Sequence, residues 1–162
     1  MKENIFEIKH SKFGVEEFQI NSARYNHYQT DVDYWELVFY LEANNPIKRS
    51  EKLIEVIDAK PNFEVTAISF IENFTLEAGK TIYQKEGCDY ERDEHLSNVY
   101  YFAHESIDNV EIEIVKIEKE LLVANIKGIA VINGSNGNKP DAELNVYNTT
   151  FHLDKSLTRI VS

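Results

Sequence analysis

Between Cys88 and His95 the chain carries a thiol, an imidazole and four carboxylates (Asp89, Glu91, Asp93 and Glu94) within eight residues. These are metal-ligating groups, and His104 follows on the same stretch. Their spacing speaks against a metal centre. Six residues separate Cys88 from His95 and eight separate His95 from His104, whereas zinc sites use ligand pairs two to five residues apart. The stretch reads as a solvated acidic loop between a strand ending near Lys85 and one starting near Val99.

A second group is His27, Asp31 and Asp33. Paired carboxylates can bind calcium or share acid and base duty. A calcium loop also needs further oxygens at regular steps and a turn glycine, and this segment has neither. No Gly-x-Ser-x-Gly elbow, phosphate loop or dinucleotide fingerprint occurs. The sequence therefore predicts no catalytic residue, no cofactor and no tightly bound metal.

Charge is more informative. The chain has 162 residues, 28 acidic against 17 basic, for a net charge of −11. Residues 86–95 carry −4, and residues 105–120 carry −4 again. Phosphate backbones require lysine and arginine, so nucleic acid is not the expected partner. Arg24-Tyr25-Asn26-His27-Tyr28 interleaves aromatics with only one strong base, too little for a stacking platform. An acidic surface instead steers basic proteins. The expected contact residues are Asp89, Glu91, Asp93, Glu94, Tyr100, Glu111 and Glu113, tyrosine being favoured at interfaces.

The elements that position these residues follow from period-two patterning. Trp35, Leu37, Phe39 and Leu41 share one face of a strand over 34–43. Strict alternation recurs at 110–114, with a change of phase at Val115 that suits a bulge or a twist. Further strands are expected at 18–28, 63–71, 81–84, 99–102, 121–132 and 145–153. Asn44-Asn45-Pro46 is expected to end one of them. The Asn-Gly-rich segment 133–141 reads as the loop of a hairpin. Residues 50–59 suit one short helix beginning at Ser50.

Eight to ten strands without alternating long helices predict an all-β, mainly antiparallel fold. The expectation is a single-domain β-sandwich, jelly-roll or immunoglobulin-like, with a closed β-barrel as the alternative. One cysteine rules out an internal disulfide. The start of the chain lacks an apolar signal segment, and no run approaches a membrane span, so a cytoplasmic protein away from membranes is expected.

The function expected first is a non-enzymatic protein-binding module, in one version an immunity or inhibitor protein against a basic toxin. A carrier of an apolar ligand is the alternative, its pocket lined by Trp35, Phe39, Phe70 and Phe102. A structural subunit of a homo-oligomer is a further one.

Overall fold

The structure, a computed structural model, describes residues 2–30, 34–49, 60–69, 75–89, 94–101, 104–132 and 140–158. Eleven strands run through them: β1 Ile5–His10, β2 Gly14–Gln29, β3 Trp35–Lys48, β4 Asn62–Ser69, β5 Thr81–Gln84, β6 Cys88–Asp89, β7 Glu94–His95, β8 Ser97–Tyr100, β9 His104–Glu118, β10 Leu121–Ala130 and β11 Ala142–Leu153. No helix long and apolar enough to cross a membrane occurs among the described residues. The expected helix at 50–59 lies outside them.

Antiparallel ladders join β1, β2, β3, β4, β8, β9, β10 and β11 in that order, and β11 returns to β1. The fold is all-β and mainly antiparallel, as the alternation predicts, with the end of β11 running parallel to β2 at Arg24 and Tyr25. Its ladder follows the barrel alternative and not the two-sheet sandwich. Because β10 pairs with both β9 and β11, the main sheet forms one continuous ring. Closure through β8 removes most of the open edges that an antiparallel sheet must otherwise protect, leaving the second half of β4 facing β5 without a ladder.

Two short strands share one place in the ring. β8 pairs with the first half of β4 and the start of β9, while β5 pairs with Val110–Glu113 farther along β9. The seam beside β4 is bridged by side chains. Thr66 N–H donates to Ser97 Oγ at 3.2 Å, and Ile68 N–H donates to Gln84 Oε1 at 3.2 Å.

Alternation sends one face of every ring strand inward. Phe6, Phe18, Phe39, Phe63 and Phe151 are buried inside, with Leu37, Leu41, Ile112, Ile114 and Leu122. Their rings pack tilted or edge to face, at 5.5 Å for Phe6–Phe63 and 4.9 Å for Phe39–Phe151. Each such side chain contributes about 1.5–3 kcal/mol through burial.

Bulges let the strands keep this phase as they coil. The register shifts between Val123 and Ala124 of β10, beside Val115 of β9. Ile114 is buried, Val115 faces solvent and Ile117 turns back toward the core, so the expected phase change is present. β3 departs from expectation by running through Pro46 to Lys48. Proline is tolerated there because the β2–β3 register is irregular at Phe18 and Ile20, opposite Pro46 and Ala43. The hairpin joining β10 to β11 is formed, with Ala130 opposite Ala142. Its tip, 133–139, lies outside the described residues.

Candidate functional site

The outer surface of β9, β10 and β11 holds a groove of about 330 Å³. Its floor follows from the register. Glu113 lies opposite Asn125, Glu111 opposite Lys127, and Lys127 opposite Asn145. Residues opposite one another share a face, so all five side chains line the same outer surface. The concavity sits at a bulge. Between Ala124 and Ile126 the β10–β11 register slips, and Asn148 adopts a positive φ of 37°. Asparagine tolerates that region, and Asn148 N–H is held by Asn125 Oδ1 at 2.7 Å.

Polar contacts brace the groove. Lys127 Nζ lies 3.3 Å from Glu111 Oε2, and Asn125 Nδ2 donates to Glu113 Oε1 at 3.3 Å. Asn145 is 6% exposed and donates to Glu7 and Glu143, both at 3.2 Å. Tyr147 OH donates to Glu7 at 2.8 Å. Burial pushes the Glu7 carboxyl up, but hydrogen bonds from Lys2 and Tyr147 and the charges of Lys2 and Lys9 outweigh it. The net result is a pKa below the ordinary value. Burial and the hydrogen bond to Glu7 push the Tyr147 phenol up to about 12.

Tyr83 of β5 lies opposite Glu111 in register and is 71% exposed. Sequence reasoning did not select it, because a short strand gives no face assignment until its partner is known. Val115 and Leu121 add exposed apolar surface on the β9–β10 hairpin.

The other expected contact residues are distributed differently. Asp89 and Glu94 pair with each other across the β6–β7 ribbon. Glu91 and Asp93 lie outside the described residues. The ribbon is rooted beside β9, where Gly87 N–H donates to Asp108 Oδ1 at 2.8 Å. Tyr100 is 40% exposed on β8, its ring 4.9 Å from that of His104. His104 precedes Glu111 by seven residues of β9, a span of about 23 Å at strand rise. Tyr100 is therefore remote from the groove.

Of the expected ligand-pocket residues, Phe39 is buried in the core. Trp35 is half-buried at the first residue of β3, its ring tilted against that of His27 with centroids 4.7 Å apart. Burial, then the charge of Lys80, lowers the His27 pKa. Phe70 and Phe102 lie outside the described residues, as do Asp31 and Asp33. Cys88 and His95 are cross-strand partners, with His95 Nδ1 3.4 Å from Ser106 Oγ. No three His, Cys, Asp or Glu side chains are grouped to hold a metal among the described residues.

One cluster gave no signal in motif spacing. Inside the barrel end, Glu16 has no solvent exposure. Its Oε1 accepts from His10 Nε2 at 2.8 Å and from Tyr101 OH, and its Oε2 accepts from Arg49 Nε at 3.0 Å. The signal available was phase, since Glu16 falls on the same strand face as Phe18. These donors saturate the carboxylate and lock chain segments far apart in sequence. Compared with protein-family models, curated proteins and solved structures, the chain matches none.

Proposed function

We propose that this protein is a non-enzymatic binding module that engages a basic protein through its acidic, tyrosine-bearing outer face. A cytoplasmic immunity or inhibitor protein against a basic toxin is one concrete form. The observation that carries the reading is the pairing of solvent-facing Tyr83 with Glu111, on the face that also presents Glu113. An exposed aromatic beside carboxylates supplies an anchor and a source of steering at one place. Val115 and Leu121 extend the apolar part of the surface. The net charge of −11 favours a basic partner over nucleic acid.

The test is capture of the products of neighbouring genes by the purified protein at rising salt. Glu111→Lys with Glu113→Lys should slow association about tenfold or more at low salt, and Tyr83→Ala should speed dissociation. A partner bound equally by all forms and at all salt concentrations would contradict the reading.

A further inference from the structure

We propose that the groove at the β10–β11 bulge seats one arginine side chain of the basic partner, with Glu111 and Glu113 bracketing its guanidinium. This rests on the acidic-face reading and names the chemistry that the face recognises. The volume of about 330 Å³ suits a long side chain rather than a whole helix or strand.

Charge and geometry select the occupant. Glu111 and Glu113 stand two residues apart on one strand face, about 7 Å at strand rise. Each uses one oxygen within the groove, toward Lys127 and Asn125 respectively. The second oxygen of each carboxylate has no hydrogen-bond partner among the described residues. A guanidinium carries five N–H donors in a planar fork and can address two carboxylates together. An ammonium is a point charge and spans them poorly. The Asn145 amide beside them is fixed by two acceptors, so the wall is preorganised.

Beside the groove the chain's own Lys2 already pairs with an aromatic ring and two carboxylates. Lys2 Nζ lies 5.1 Å from the Tyr147 ring centroid, within 2.6 Å of Glu7 and 2.7 Å of Glu17. Tyr147 also lines the groove. Lys127 occupies part of the seat from within the chain. Its exposed pairing with Glu111 at 3.3 Å is weak enough to exchange.

The experiment titrates N-acetyl-arginine amide and N-acetyl-lysine amide into the labelled full chain, followed by amide resonances. Arginine amide should produce saturable shifts at Asn125, Asn145 and Tyr147, and bind severalfold tighter than lysine amide. Glu111→Gln with Glu113→Gln should weaken binding at least tenfold while spectral dispersion stays native. Lys127→Gln should strengthen it. Equal binding of both amides, shifts elsewhere, or retention in the double variant would overturn the seat. If the arginine titration fails while salt-sensitive capture of a partner persists, the seat is wrong and the acidic-face reading stands. If arginine binds while no salt-sensitive partner exists, the acidic-face reading falls and the seat survives as a side-chain site.

Discussion

His10 Nε2 lies 2.8 Å from Glu16 Oε1, with both side chains sealed from solvent at one end of the barrel. The pair links β1 to β2 across the turn at 11–13, and Tyr101 and Arg49 complete the carboxylate's shell. Removing the carboxylate would strand those donors. Glu16→Ala should cost about 3–5 kcal/mol, as for breaking other buried pairs. Urea denaturation with a wild-type midpoint would refute a structural role for Glu16.

Stability should fall in acid through the same group. Burial raises the Glu16 pKa, but hydrogen bonds from His10 and Tyr101 and the charges of His10 and Arg49 bring it below its ordinary 4.5. Glu7 is lowered likewise. A carboxylate held lower in the folded state than in the unfolded state stabilises above the unfolded value. That contribution fades as pH falls through the folded value. Thermal melts should therefore lose stability progressively below about pH 4.5, and Glu16→Gln should flatten the slope. A variant as acid-sensitive as wild type would exclude Glu16 as the cause.

Gly87 and Gly128 both approach Ile107, with different consequences. A Cβ on Gly87 would sit 2.1 Å from the Ile107 carbonyl oxygen, which is fixed backbone. A Cβ on Gly128 would meet the Ile107 Cγ2 methyl at 2.5 Å. Gly87→Ala should cost about 3 kcal/mol or more by overpacking. Gly128→Ala should cost less, and Ile107→Ala should recover part of that cost in the double variant. A stability cycle measures this, and additive losses at Gly128 and Ile107 would contradict the contact.

Phe39 and Trp35 share an inward phase but not a depth. Phe39 is enclosed by neighbours including Phe151 and Tyr25, whereas Trp35 is half-buried against His27. Phe39→Ala should cost about 3–5 kcal/mol, and Trp35→Ala clearly less. Denaturant midpoints in the reverse order would mean that Trp35 is packed more tightly than its half-buried side chain implies.

Local patterning carried the strand faces well. Leu37, Phe39 and Leu41 point inward as their alternation requires, Trp35 in the same phase is only half-buried, and the phase change at Val115 is a bulge. Ring closure was not legible, because pairing β1 with β11 is a long-range choice that adjacent residues do not encode. Tyr83 illustrates the same limit at the candidate site: its relation to Glu111 exists only in the β5–β9 register. Glu16 was hidden for another reason. A lone carboxylate on an apolar face becomes intelligible only when His10, Tyr101 and Arg49 converge on it from elsewhere.

The pairing of Ile5 with Tyr147 also sets a timetable for the nascent chain. Of the eleven strands β1 is made before the others, yet β11, which holds its outer ladder, is made after all of them. Until β11 arrives, Phe6 and Phe18 belong to a partial sheet with an unpaired edge. Such long-range closure is slow, on the scale of milliseconds to seconds, and incomplete sheets are prone to association. Truncation before β11 should therefore yield an aggregating product, while the finished barrel withdraws that edge from every other chain.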